Sequence, residues 1–331
     1  MDYGFFGFNV GGLSTPDSME RVVVTAEKLG FESVWTAEHV VLIDPQRDPS
    51  PIPAESNTVD TIASLAFAAA KTERIKLGTG ILLLPQRDPI VLAKELAGVD
   101  VLSKGRLLFG LGVGYVPGEF EALGIPWKGR GARTTEHIDV LRTLWTQEKP
   151  SFDGKFTKFS GIQSRPLPVQ KPHPPILVGG GTPPALRRAV AQGDGWYGCY
   201  SLEETAQKLK LLEEEAKKTD RPASLGRLQI TITPTGRDGY ADGFVDADLA
   251  KRFEDLGVDR LVLMRDWLDP ASPPSKEIED KSVRFLEDEA RDQRLFLGVG
   301  RPAGHAEAEH RELDVHLVTV RVGSGLGLGQ G

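Results

Sequence analysis

The chain has one cysteine in 331 residues, Cys199, so it can build neither a disulfide scaffold nor a cysteine-ligated zinc or iron–sulfur site. It lacks any apolar run near the roughly 20 residues that a membrane helix needs. Its opening residues, Met1-Asp2-Tyr3-Gly4-Phe5-Phe6, lack the basic segment of a signal peptide. Together these predict a cytoplasmic location and no membrane partner. An excess of basic charge is missing as well. There are 40 Lys and Arg against 47 Asp and Glu, for a net charge of −7, and no basic run, which argues against a nucleic-acid partner. No P-loop, H-E-x-x-H, G-x-S-x-G or EF-hand pattern occurs, and no metal site is expected.

What the chain does have is a repeated βα unit. Leu29-Gly30-Phe31-Glu32-Ser33-Val34-Trp35 and Leu256-Gly257-Val258-Asp259-Arg260-Leu261-Val262 each end a helix at a glycine and start a strand at once. Lys104-Gly105-Arg106 and Gln192-Gly193-Asp194 repeat the switch, and glycine suits the left-handed residue that closes a helix. The pattern predicts strands near 2–9, 31–38, 75–83, 106–112, 175–179, 195–200, 227–234 and 259–265. Helices fall near 16–29, 57–72, 89–103, 132–147, 183–192, 202–218, 243–255 and 275–291. Thr15 before Pro16 and Asp88 before Pro89 are helix-start signals. Eight alternating units predict an α/β fold, a closed (β/α)8 TIM barrel over 1–292, in preference to an open sheet.

Two long connections, 40–56 and 113–131, leave the C-terminal ends of strands 2 and 4, where barrel active sites are built. A third, 148–173, follows a helix and should lie at the opposite end, with a structural hairpin over 151–156. Residues 293–331 contain eight glycines, no lysine and as many acids as bases, and are expected to form a disordered appendage. Its His305, His310 and His316 have neither the spacing nor the neighbours of a metal site.

Several residues could carry chemistry. Glu38-His39 ends strand 2; the histidine can exchange a proton near neutral pH, and the adjacent carboxylate can orient it or contact a ligand. Leu77-Gly78-Thr79-Gly80-Ile81 is a strand broken by two glycines, the mark of a bulge or a close ligand approach, and packing alone would not call for two. Gly110-Leu111-Gly112-Val113-Gly114-Tyr115 closes strand 4 and gives room for a flat ring; Pro117 excludes a dinucleotide fingerprint. Gly179-Gly180-Gly181-Thr182, opening a helix at Pro183-Pro184, is a phosphate candidate, because backbone N–H groups and the helix dipole favour an anion there. A structural turn is the alternative at that point.

Read together, these letters resemble the bacterial luciferase-like monooxygenase superfamily. The match runs in order through Trp35-Thr36-Ala37-Glu38-His39, Leu77-Gly78-Thr79-Gly80-Ile81, Pro85-Gln86-Arg87-Asp88-Pro89, Gly112-Val113-Gly114, Val178-Gly179-Gly180 and Gly193-Asp194-Gly195-Trp196. The compact length and the Glu-His pair look most like the branch that uses the deazaflavin coenzyme F420, with FMN as the alternative cofactor. The resemblance implies a homodimeric oxidoreductase moving a hydride between coenzyme and a small organic substrate. It implies that Glu38 and His39 contact the ring or substrate and act in catalysis. Thr79, Gly80 and Ile81 would back the ring through a non-prolyl cis peptide, Gly112 to Tyr115 would line its other edge, and Gly179 to Thr182 would bind the phosphate. Where sugar-phosphate dehydrogenases of this branch place a glutamate directly after Gly-x-Gly, this chain has Tyr115, with Glu119 four residues on, so that assignment does not transfer. Tyr115, Glu119, Tyr200, Ser201 and Arg265 are candidate substrate contacts. An FMN-dependent monooxygenase and a non-catalytic flavin- or deazaflavin-binding barrel are the alternative readings.

Overall fold

A computed structural model describes residues 1–235, 245–264 and 273–293. Eight parallel strand positions close into a barrel: β1 (Asp2–Phe6), β2 (Ser33–Thr36), β3 (Lys76–Thr79) with its continuation β4 (Leu82–Leu83), β5 (Leu107–Gly112), β8 (Ile176–Gly179), β9 (Gly195–Tyr200), β10 (Gln229–Pro234) and β11 (Arg260–Leu263). The remaining two strands, β6 (Phe152–Asp153) and β7 (Lys158–Phe159), form a separate antiparallel hairpin. Pairing of β3 with β5 and of β11 with β1 closes the ring, so the sheet is not open. The outer layer is α1 (Pro16–Leu29), α2 (Thr61–Lys71), α3 (Pro89–Leu102), α5 (Arg130–Thr146), α6 (Pro183–Gln192), α7 (Leu202–Ala216), α8 (Ala247–Asp255) and α9 (Lys276–Asp292), and the short α4 (Pro117–Ala122) lies within the connection after β5.

Local chemistry explains the boundaries. Thr15 caps α1 by accepting from the Ser18 N–H, and Asp88 caps α3 by accepting from Ile90 and Val91. Gly30, Gly105 and Gly257 hold φ of 89°, 82° and 87°, the left-handed closure read from the sequence. Gly193 departs from that reading. Its backbone is extended, and glycine is required there because a Cβ would sit 2.8 Å from the Ala189 and Gly195 carbonyl oxygens. Helix α4 lay in a segment read as loop; Pro117 at its first position was the available signal.

Side chains alternate between two cores. Facing outward, the strands pack the helices through Phe5, Val34, Phe109, Val178, Trp196 and their neighbours. Facing inward, Trp35, Leu108, Leu177, Tyr197 and Val262 fill the barrel, with Phe6 and Ile81 above them towards the C-terminal mouth. The N-terminal end is closed by Arg260, which is buried and donates from Nε and Nη2 to the two Glu32 carboxylate oxygens at 2.8 and 2.7 Å. The 148–173 connection leaves α5 at that lower end, yet its hairpin turns back along α5. Glu136 accepts from the amides of Lys155, Phe156 and Thr157, and Thr157 and Lys158 share a groove with Pro85 to Ile90 beside the upper rim. The expectation that this segment stays at the opposite end is therefore corrected.

Candidate functional site at the barrel mouth

The third barrel strand breaks between β3 and β4. Leu77 pairs with Leu107, thirty residues on, while Leu82 pairs with Leu111, twenty-nine on, so one extra residue is accommodated between them. The break contains a cis peptide between Gly80 and Ile81. The two strand glycines both have packing reasons, contrary to the sequence reading. At Gly78 a Cβ would overlap the Trp35 indole, and at Gly80 it would lie 2.9 Å from the Phe6 ring and 3.0 Å from the Thr36 carbonyl. Thr79 turns its hydroxyl to the Gly110 carbonyl at 2.5 Å, locking the break to β5.

The bulge projects Ile81 across the mouth. A Cβ on Gly112 would lie 2.5 Å from Ile81 Cδ1, and one on Gly179 would overlap the same atom. The glycines at the ends of β5 and β8 thus let one aliphatic side chain lie over the backbone of both strands. With Phe6 it forms an apolar ledge above the interior cluster. Beyond Gly112, Val113 is half-buried, Gly114 holds φ of 77° under the Phe120 ring, and Tyr115 is 50% exposed.

Glu38 and His39 go to different partners. The Glu38 carboxylate turns to Arg87, which donates from Nε and Nη2 at 3.1 and 2.8 Å and also reaches Asp60 at 3.1 Å. Burial pushes the Glu38 carboxyl up to about 7 in spite of Arg87. Since Asp60 caps α2 and Arg87 immediately precedes the cap of α3, this cluster ties the rim together and does not orient His39. The carboxylate that meets His39 is Glu119 of α4: its Oε1 is 2.6 Å from Nδ1, and its Oε2 accepts from Gln86 Nε2 at 2.8 Å. The Glu119 side chain is only 1% exposed and the His39 ring 12%. Glu119, expected as a substrate contact, is therefore sealed beneath the histidine. Nothing in the spacing of residues 39, 86 and 119 could have announced this; Gln86 and Arg87 were visible only as letters of the Pro85–Pro89 motif.

The phosphate candidate is narrower than the sequence suggested. The first two residues of α6, Pro183 and Pro184, have no N–H, and the Ala185 N–H is taken by the Thr182 carbonyl at 2.9 Å. The helix start itself offers no free donor in its first turn. Free donors come instead from the loop: the Gly180 amide continues the β8–β9 ladder, and the amides of Gly181 and Thr182 make no hydrogen bond to the described residues. Two cations stand by. Lys208 Nζ lies 3.3 Å from the Gly181 carbonyl and has no carboxylate partner among the described residues. On the neighbouring strand end, Arg130 donates from Nε to the Gly114 carbonyl at 3.2 Å and stacks 3.5 Å from the Trp127 ring centre. Its other nitrogens meet no protein acceptor among the described residues, a pre-oriented guanidinium that the sequence reading missed.

The other tentative contacts are placed elsewhere. Tyr200 faces outward, stacked on Trp196, with its hydroxyl against Gly181 of the Gly180–Thr182 loop. Ser201 caps α7 in a reciprocal box with Glu204, which accounts for it without a substrate. Arg265 lies outside the described residues, as does the 294–331 part of the expected appendage. Cys199, two residues on from the inward Tyr197 and on the same face of β9, is exposed at the mouth. Among the described residues no group of three or more His, Cys, Asp or Glu could hold a metal ion, and no helix is long and apolar enough to cross a membrane.

The described strands form a parallel eight-stranded barrel with a bulged third strand and a glycine-lined mouth, and comparison with known proteins names the family. Residues 3–238 match the luciferase-like monooxygenase family, to which the chain belongs. An uncharacterised protein of Mycobacterium tuberculosis (strain ATCC 25618 / H37Rv) is 34% identical over 223 residues, covering 65% of this chain and 78% of its own. An FMNH2-dependent dimethylsulfone monooxygenase of Pseudomonas putida is 33% identical over 184 residues, 55% of this chain and 48% of that enzyme. Among solved structures, an F420-dependent secondary alcohol dehydrogenase in complex with an F420–acetone adduct shares the fold, with a TM-score of 0.65 and 18% identity over 87% of this chain and 98% of that one.

Proposed function

We propose that the protein is an F420-dependent oxidoreductase whose coenzyme lies across the barrel mouth. The observation that carries this reading is the ledge itself: Ile81 laid over Gly112 and Gly179 at the C-terminal ends of β5 and β8, with the amides of Gly181 and Thr182 unbonded among the described residues after β8 and His39 in the connection after β2. A flat heterocycle fits such an apolar shelf. Its anionic tail would meet the loop amides, Lys208 and Arg130, which have no carboxylate ion-pair partner among the described residues and can take a negative charge. When bound, the coenzyme supplies hydride transfer. The chain supplies orientation, an apolar wall against water, and a proton acceptor or donor at His39 Nε2 for the substrate oxygen.

That proton function favours F420 over FMN, because moving a hydride to or from a carbon that bears oxygen requires a proton partner at the oxygen. An FMN-dependent monooxygenase is the second reading, supported by the similarity to the dimethylsulfone enzyme; oxygen uptake with reduced FMN would support it. A homodimer is proposed as well, since α3 is apolar on nearly every side and leaves Val91 and Leu102 exposed at 56% and 65% for a second copy to cover.

Titration of the protein with F420 and with FMN, followed by chromophore fluorescence, tests the reading; tight F420 binding is expected, and micromolar FMN binding with none for F420 would overturn it. Arg130→Met and Lys208→Met should each weaken the phosphate-bearing coenzyme about 10- to 100-fold, the worth of a charged hydrogen bond. Affinity for the phosphate-free chromophore should stay within about twofold, because neither cation then has a partner to lose. Equal losses for both ligands would place the tail elsewhere.

A further inference from the structure

We infer that Glu119 and Gln86 are positioning residues that fix which nitrogen of His39 faces the mouth. The three side chains form one chain of hydrogen bonds. Gln86 Nε2–H donates to Glu119 Oε2 at 2.8 Å, and Glu119 Oε1 lies 2.6 Å from His39 Nδ1. An ionised carboxylate can only accept, so on a neutral imidazole the hydrogen must sit on Nδ1. Nε2 is left bare, with no partner among the described residues, on a ring that keeps 12% exposure. Among the described residues Glu119 has no other route to satisfaction: it is 1% exposed, pairs with no arginine or lysine, and has an oxygen committed to each neighbour. Breaking either bond therefore leaves a buried carboxylate under-bonded, which penalises the alternative arrangement.

The arrangement also explains the length of the segment after β5. Glu119 sits on α4, inside that connection, and Gln86 sits just after β4, so the imidazole at the end of β2 is gripped from two other loops. Gly118 of α4 lies against Ile43, seating the helix on the connection that follows His39; a Cβ there would come 2.5 Å from Ile43 Cδ1. A ring held this way presents an acceptor upward when neutral and a donor when protonated, without rotating. The assignment rests on the proposed function only for its catalytic consequence, because the tautomer itself can be read without coenzyme.

The test is nitrogen NMR on protein labelled at histidine, with His39 assigned by its absence in His39→Asn, recorded where the ring is neutral. The wild type should show a protonated Nδ1 and a bare Nε2, the opposite of the tautomer a free imidazole side chain prefers. Glu119→Leu should shift His39 to protonated Nε2. Glu119→Gln should keep the wild-type pattern, since an amide oxygen can still accept and Gln86 can flip to accept in turn. Gln86→Leu, a milder change should Glu119→Leu fail to fold, should give a mixture. In coenzyme-driven turnover, Glu119→Leu should lower kcat about 10²-fold with coenzyme affinity within about threefold, and Glu119→Gln should recover most of the loss. A wild-type ring protonated on Nε2, or a pattern indifferent to Glu119→Leu, would overturn the inference while leaving coenzyme binding intact. The fixed tautomer with no coenzyme bound would instead sink the proposed function and leave this assignment standing.

Discussion

Replacing His39 by alanine should lower kcat by about 10²- to 10⁴-fold, the range for loss of a positioned acid or base, while coenzyme affinity stays within about threefold. Both parts follow from where the ring stands. His39 is on the loop leaving β2, which β3 and β5 separate from β8 and the Gly180–Thr182 loop. Its contribution should therefore be to the proton, not to the grip on the coenzyme. The comparison of kcat with KM separates these, because an interaction made only as the reaction proceeds appears in kcat. A barrel that merely stores coenzyme would have no turnover to lose, and His39→Ala would then be silent. A loss confined to binding would move His39 into the coenzyme's cradle and leave the proton unassigned.

The second large effect is on stability. Arg260→Met should destabilise the protein by about 3–5 kcal/mol at neutral pH, the usual cost of removing one partner of a buried ion pair. Arg260 fills the N-terminal end of the barrel, with Glu32 on two of its nitrogens, Thr231 at 3.1 Å on a third, and the Trp35 ring 5.9 Å from its centre. Methionine would fill part of the volume but leave Glu32 buried and charged with only Lys76 beside it, at 2.6 Å. The pH dependence carries the same signature. Burial would raise the Glu32 carboxyl, but Arg260 and Lys76 outweigh it and hold it near 2, against an ordinary 4.5. A depressed carboxyl stabilises the fold above the unfolded value and loses that contribution as pH falls through the folded one. The wild type should thus lose about 3 kcal/mol between pH 4.5 and 2 from this group. Glu32→Gln should flatten that part of the profile. Denaturant unfolding at several pH values reads both; an Arg260→Met variant as stable as the wild type would show that the lower end is closed by packing alone.

Much of the barrel was legible because its signals are local. Gly30 and Gly257 end helices in the conformation only glycine adopts readily, Asp88 caps the helix it precedes, and runs such as Leu261-Val262-Leu263 mark strands covered on both faces. The mouth was legible in outline for the same reason, since glycine clusters at strand ends are short patterns. What stayed hidden depends on contacts across the fold. The carboxylate next to His39 in sequence points at Arg87, while the one that meets it lies eighty residues away, because successive side chains leaving a strand take opposite sides. Pro183-Pro184 reads as a good helix start, and it is one; the same prolines remove the amides an anion would have used. Arg130 drew no notice because no motif marks it, and its value comes from being stacked on Trp127 with no carboxylate partner among the described residues.

Crystals grown with F420 give the most direct test of the central claim. The account predicts a flat ring lying on Ile81 between Gly112 and Gly179, with its phosphate on the Gly181 and Thr182 amides and an edge within reach of His39 Nε2. Density for the ring anywhere else on the molecule, or a mouth that Ile81, Phe6 and Tyr115 close against it at saturating coenzyme, would contradict it.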